Sequence, residues 1–359
     1  MSIDFSFLRK PKSVVGLDIG SSAVKAIELK PQGKSGFRVV AYASEPIPPD
    51  TIVDGAIIDA VAVADAIRRI FDTKNFKAND VVASLSGSSV IVKRIALPVM
   101  SETELAESIH WEAEQYIPFD IQDVNLDYQV LDPGGPETGR QTMDVLLVAA
   151  KKDKIADYTG VIAQAGRTPI VVDVDAFAVQ NCFEANYGVE PGVTVLLNAG
   201  ASAINVNIVA GDQSLFTRDI SVGGNAFTEA VQKEFGLTFE QAELAKKGHA
   251  IEGVQADDVH AVLRTVSEGV LLEIQKTFDF FKATTSADRI DRVLVCGGAS
   301  LVDGFTDLIA ERFDTPIERL NPFKAIVFDA SRLGLDAGVD VASTAAVAVG
   351  LALRRAGDR

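Results

Sequence analysis

Residues 14–29 read V-V-G-L-D-I-G-S-S-A-V-K-A-I-E-L. An apolar strand runs into Asp18, turns over Gly20, Ser21 and Ser22, and leaves as a second apolar strand. The tip is built of small residues, so backbone N–H groups can approach an anion closely. Asp18 ends the incoming strand beside that tip, where one carboxylate can hold the hydration shell of a Mg²⁺ carried by a phosphate chain. Read alone, the stretch is equally an ordinary β-turn.

It is not alone. Residues 195–209 read V-L-L-N-A-G-A-S-A-I-N-V-N-I-V, and they superpose on residues 15–29 at an offset of 180 residues, about half the chain. Leu17 then meets Leu197, Asp18 meets Asn198, Gly20 meets Gly200 and Ser22 meets Ser202. Two strand–turn–strand units so spaced predict two related domains, each offering a hairpin tip to a shared cleft.

The 359 residues are too many for one ordinary core. Apolar residues make up 47% and charged residues 23%, the balance of a soluble globular protein. A net charge of −16 argues against a general nucleic-acid binder, which needs basic surface to displace counterions, and against direct adhesion to anionic lipid. Cys182 and Cys296 stand far apart in apolar surroundings and read as buried thiols of a reducing compartment. Met1–Lys12 has no apolar signal core, and the longest apolar stretch, 341–353, is too short to span a bilayer. The expectation is a cytoplasmic protein that meets membrane only through partners. The segment I-D-F-S-F-L-R-K (3–10) reads as an arm docked on its own domain in preference to an interfacial anchor.

Along the chain, residues 55–72 show helical periodicity, with Ile58, Val61, Ala62, Ala66, Ile67 and Ile70 on one stripe. The stretch 86–168 reads as an inserted module of strand, helix, strand, strand and helix. Its first helix opens on a capping box, Ser101 and Glu104, and continues through Leu105, Ile109, Ala113 and Tyr116 to Pro118. Trp111, the only tryptophan, lies off that stripe and suits either a satellite core contact or a partner anchor. The loop D-P-G-G-P-E-T-G (132–139) joins two strands. Asp173 and Asp175 fall at a strand–helix junction, where helix capping is the first explanation. Gly223 and Gly224 precede a further helix, a second place for a phosphate contact. Glu243 and Lys246 sit three residues apart on an amphipathic helix, and Gly297, Gly298 and Ser300 join a buried strand to the next helix.

Four segments in fixed order, D-I-G-S-S-A, N-A-G-A-S-A, C-G-G-A-S and G-L-A-L-R-R, resemble the actin-like ATPase superfamily. H-W-E-A-E-Q-Y-I-P-F, V-G-G-N-A-F-T-E-A-V-Q and A-E-L-A-K-K-G narrow the resemblance to the PilM family of type IV pilus assembly proteins, a branch shared with the division protein FtsA. The resemblance implies an α/β, actin-like (ribonuclease H-like) two-domain fold with a nucleotide cleft and an inserted α+β SHS2-type subdomain. The implied divisions are 1–85 and 169–190 for the first subdomain, 86–168 for the insertion, 191–330 for the second domain, and 331–359 for a helix returning to the first. It also implies ATP or ADP with Mg²⁺ in the cleft. Asp18 would orient a Mg²⁺-bound water, Gly20, Ser21 and Ser22 would hold phosphate, and Lys25 would reach it. Gly200 with Ala201 would grip the second side. Glu243 and Lys246 would meet ribose or adenine, and Gly297, Gly298 and Ser300 would close over the adenosine. The implied partner is the N-terminal cytoplasmic tail of PilN at the inner membrane, with PilO, PilP and the pilus ATPases reached indirectly and self-association left open. Ile109, Trp111 and Tyr116 are the expected groove residues.

One position departs from the family pattern. Asn198 stands where Asp is usual, and it brings no negative charge to a cation shell, though it can hydrogen-bond a coordinated water. Asp175 is the one candidate for orienting a water. Nucleotide binding with slow or absent turnover is therefore expected. Two alternatives stand beside the adaptor reading. One is an FtsA-like filament-forming scaffold, disfavoured because R-R-A-G-D-R closes the sequence without an amphipathic tail. The other is an actin-fold small-molecule kinase, which needs a base facing a second substrate pocket.

Overall fold

A computed structural model describes residues 13–33, 36–135, 139–285, 289–335 and 340–358. The expected N-terminal arm and part of the 132–139 loop lie outside them.

The first unit starts as an antiparallel meander, β1 (Val15–Ile19), β2 (Ala23–Gln32) and β3 (Gly36–Pro46). A two-residue pair, β4 (Ile52–Val53) and β5 (Ala56–Ile57), leads into α1 (Ala60–Thr73) and β6 (Asp80–Leu85). The inserted sheet follows as β7 (Val90–Pro98), α2 (Glu102–Glu114), β8 (Val124–Asp132) and β9 (Thr142–Lys151). Then come α3 (Lys152–Gln164), β10 (Thr168–Val174) and α4 (Asp175–Tyr187). The second unit runs β11 (Val193–Ala199), β12 (Ile204–Ala210), β13 (Gln213–Ile220), α5 (Gly224–Phe235), α6 (Phe239–Lys246) and α7 (Ala256–Thr284). It closes with β14 (Arg292–Cys296), α8 (Phe305–Phe313) and β15 (Ile317–Arg319), and α9 (Ala346–Leu353) follows.

The internal repeat is visible in the topology. One sheet has the order β10-β6-β1-β2-β3 and the other β15-β14-β11-β12-β13, so each is an antiparallel hairpin meander flanked by parallel strands. Helices α4 and α9 lie between the sheets. Their buried residues, among them Ala178, Phe183, Val347 and Leu351, form one core with Ile27 and Val82 of the first sheet and Leu196 and Leu294 of the second. The approach is close. A Cβ on Gly350 would fall 1.7 Å from the Ala178 carbonyl oxygen, and one on Gly16 would fall 2.1 Å from that of Ala348. Small residues in 341–353 thus serve helix packing. Cys182 and Cys296 are free and buried in this core, as their apolar settings suggested. Burial pushes both thiols up, that of Cys296 to about 12.

Two local expectations need correction. The Asp59 carboxylate accepts from the Val61 and Ala62 amides and fixes the start of α1, so Ile58 precedes the helix and Val61 lies in its first turn. Both side chains are exposed, at 66% and 59%, and the buried stripe is Val63, Ala64, Ala66, Ile67, Ile70 and Phe71. The second correction concerns α3. It is adjacent in sequence to the insertion, yet Tyr158, Val161 and Ile162 join the core that α1 makes on the first sheet. The insertion's own core is the sheet β7-β9-β8 against α2, through Ile95, Leu105, Ile109, Val145 and Leu147. Ser101 and Glu104 do form the capping box of α2.

Candidate functional site

The two hairpin tips meet and line a cavity of about 1140 Å³ between the two units. Gly20 donates to the Ala23 carbonyl and Gly200 to that of Ala203, and each bond tightens its own tip. The Ser21, Ser22, Ala201 and Ser202 amides make no hydrogen bond to the described residues and remain free to bind an anion. The tips touch through hydroxyls, Ser21 Oγ lying 2.6 Å from Ser202 Oγ.

Behind the first tip, Lys25 Nζ donates to Asp18 Oδ2 at 3.0 Å, the cross-strand partners of the β1–β2 ladder. Burial alone would lower the Lys25 pKa, but the Asp18 charge and hydrogen bond outweigh it and raise it. Asp175, the first residue of α4, is half-buried at the cavity wall and accepts from Ser84 Oγ at 2.5 Å. Burial, then the Asp18 charge, pushes its carboxyl up to about 6. Asp173 and Asp175 do not cap α4, because Val174 holds the N-cap position. Asp173 instead pairs with Arg354 at 3.0 Å.

At the second tip, Asn198 donates through Nδ2 to Asn205 Oδ1 at 2.9 Å. Helix α5 braces this tip. The Gly224 amide donates to Gly200 and the Asn225 amide to Ala201. Those amides are therefore spent on the hairpin and do not offer the second phosphate contact expected there. Gly223 does not line the cavity, since a Cβ on it would meet the Gly200 and Ala201 carbonyls at 2.6 and 2.7 Å. Gly224 does line it.

The far wall carries Glu243, Lys246, Gly297 and Gly298. Lys246 Nζ lies 2.5 Å from Glu243 Oε2 and donates to Thr228 Oγ1 at 2.8 Å. Burial raises the Glu243 pKa, but the Lys246 hydrogen bond and charge hold its carboxyl below the usual range. Burial pulls Lys246 below the ordinary lysine value. Gly297 has φ +88° and packs on Ala199, a position that only glycine fits. Ser300 is fully buried and spends its hydroxyl on the Gly297 carbonyl at 2.6 Å. It shapes the turn and does not face the cavity, contrary to expectation.

The expected partner-groove residues do not converge. Ile109 is 1% exposed in the core of the insertion, Tyr116 leans on that core, and Trp111 is 72% exposed elsewhere. The cavity instead extends from the hairpins to the seam between the first unit and the insertion, past Ile52, Gly55, Ser86, Val90, Val92 and Tyr158. Sequence reading missed Ser202's contact, Asn205, Asp219 and the 86–92 wall. The register of the repeat, which pairs Ser22 with Ser202, was the available signal for the first.

Among the described residues, no cluster of three or more His, Cys, Asp or Glu could hold a metal by itself. The Asp18 carboxylate beside the free tip amides suits Mg²⁺ arriving on phosphates with its waters. The residues present therefore fit a Mg²⁺–nucleotide, and the cavity has the volume for one.

Duplicated sheets, interleaved helices and paired hairpin tips define the actin-like ATPase fold. Solved structures agree: EutJ, the ethanolamine utilization protein of Carboxydothermus hydrogenoformans, has TM-score 0.58 at 14% identity, covering 96% of this chain and 90% of its own. MreB5 of Spiroplasma citri bound to ADP has TM-score 0.52 at 15% identity, covering 94% of each chain. Within that fold, the chain belongs to the type IV pilus assembly protein PilM family, whose sequence model matches residues 16–356. A chain of the PilM–PilN type IV pilus biogenesis complex superposes with TM-score 0.83 at 28% identity, covering 97% of this chain and 100% of that one.

Proposed function

We propose that this protein is a cytoplasmic, nucleotide-binding adaptor of the type IV pilus inner-membrane platform. The similar chain of the PilM–PilN complex supports PilN as the partner. In this reading PilN's N-terminal tail occupies the part of the cavity at the seam between the first unit and the insertion. The adaptor then reaches the membrane through that partner, and no described helix is long and apolar enough to cross a bilayer.

The observation that carries the reading is the single cavity joining the hairpin tips to the insertion seam. A ligand at the tips and a peptide at the seam would share walls, so each can bias the other. ATP or ADP would bring Mg²⁺, with Asp18 holding one of its waters and the tip amides and Lys25 meeting phosphate. Glu243 and Lys246 would face the nucleoside. Asp175 would orient a water. Asn198 contributes no charge, which supports slow or absent turnover.

Calorimetric titration of the full chain with Mg-ATP, and separately with a synthetic PilN tail peptide, tests both halves. Saturable binding of each supports the adaptor. Peptide binding without nucleotide binding leaves an adaptor alone, and neither removes the proposal.

A further inference from the structure

Asp219, near the end of β13, lies outside every role above. Its two carboxylate oxygens are engaged on different parts of the molecule. Oδ1 accepts from Asn205 Nδ2 at 2.8 Å, and Oδ2 accepts from the Gly87 backbone amide at 2.5 Å. Asn205 accepts in turn from Asn198, the side chain next to the second hairpin tip. Gly87 belongs to the turn that links β6 to β7, the entry to the insertion. Its φ of +84° fixes the turn so that the amide faces the second unit. Strand β13 runs beside β7, and Gln213 at its other end donates to the Leu131 carbonyl of the insertion.

We infer that Asn198, Asn205 and Asp219 form a hydrogen-bond relay through which occupancy of the second hairpin fixes the Gly87 turn and, with it, the inserted module. The inference rests on the nucleotide reading of the cleft and names the positioning residues that transmit it.

The chemistry of each link is directional. Asn198 must donate to Asn205 Oδ1, so that Asn205 can point its own amide at Asp219. A carboxylate at position 198 would present an acceptor to an acceptor and break the chain at its first step. The relay thus gives Asn198 a use that Asp could not fill. A ligand whose bound water donates to Asn198 Oδ1 pins the amide plane and directs Nδ2 at Asn205. Without it, that oxygen has among the described residues only the Cys296 thiol at 3.7 Å, a weak donor. Ligand binding therefore stabilises the relay, and the Gly87 amide is its last member. Gly87 N–H bonded to a carboxylate is a charge-assisted bond, strong enough to protect the amide when held and to release it when the relay relaxes.

Hydrogen–deuterium exchange of the full chain, with and without Mg-ATP, tests this. Exchange over residues 86–98 should slow by roughly tenfold when nucleotide binds, in line with ordinary coupling between sites. Asp219→Ala, which removes both acceptors, and Asn205→Ala, which spares the Gly87 bond but cuts the relay, should still bind Mg-ATP and lose the slowing. Nucleotide binding with unchanged exchange over 86–98 in the wild-type chain overturns the relay alone. So does slowing that persists in both variants. Failure of the wild-type chain to bind Mg-ATP overturns the cleft reading and the relay with it. The wild-type comparison decides the matter even if a variant fails to fold.

Discussion

Lys25 Nζ lies 3.0 Å from Asp18 Oδ2 across the first hairpin, and 180 residues on, Asn198 and Asn205 hold the same cross-strand positions. The repeat thus keeps its geometry and exchanges an ion pair for a neutral amide pair. The first hairpin carries a charged pair, and the second carries two amides whose hydrogen bonds continue to Asp219.

Both members of the first pair are largely out of solvent, so removing one leaves the other uncompensated. Lys25→Met leaves Asp18 beside the half-buried Asp175 without a cation. Denaturant unfolding should show a loss of roughly 3 kcal/mol, and Mg-ATP should restore part of it. Equal stability of variant and wild type would contradict the pairing.

Asp175 gives a pH signature. Its carboxyl titrates at about 6 in the folded chain against an ordinary 3.8. Between those values the unfolded chain has released the proton that the folded chain keeps. Stability therefore falls as pH rises through this window and stays lower above it. Asp175→Asn cannot ionise. It should match wild type near pH 4 and exceed it at pH 7 by on the order of 3 kcal/mol. Unfolding midpoints for the pair across this range provide the check, and a pH-independent difference would contradict the burial of this group.

Two glycine-to-alanine changes should act in opposite directions. Gly350→Ala drives a Cβ into the Ala178 backbone, and thermal unfolding should fall by an amount equivalent to about 3 kcal/mol or more, or the chain should fail to fold. Gly160 lies inside α3 with open space around its Cβ position, so Gly160→Ala should gain about 0.5–1 kcal/mol.

On the proposed reading the peptide binds beside Val92, which lines the cavity, and away from Trp111, which does not. Val92→Asp should weaken PilN-peptide binding at least about tenfold, since it buries an unpaired charge against the peptide. Trp111→Ala should leave it within about twofold, as expected for an exposed side chain away from the site. The reverse order would move the groove to the face of α2.

The parts of this account legible in the sequence were local ones. Both hairpins, the α2 capping box and the glycine turn after β14 are written in contiguous residues whose backbone needs are specific. The start of α1 was misread because apolar periodicity ran past Asp59, and the cap decided which residues turned inward. The packing of α3 was hidden because periodicity shows that a helix has a buried face but not which sheet receives it. Ser300 resembled a ligand contact by position, while its hydroxyl had a nearer acceptor in Gly297. The Gly87–Asp219 bond spans 132 residues and joins a backbone amide to a side chain, so nothing in either segment announced it.

The central claim is that one cavity serves nucleotide and PilN tail together. The most direct measurement is the Kd of the tail peptide for the full chain, taken with and without saturating Mg-ATP. Shared walls should give a change of roughly five- to tenfold, matched by an equal change in Mg-ATP affinity when peptide is added first. An unchanged peptide Kd, with Mg-ATP demonstrably bound, would contradict it.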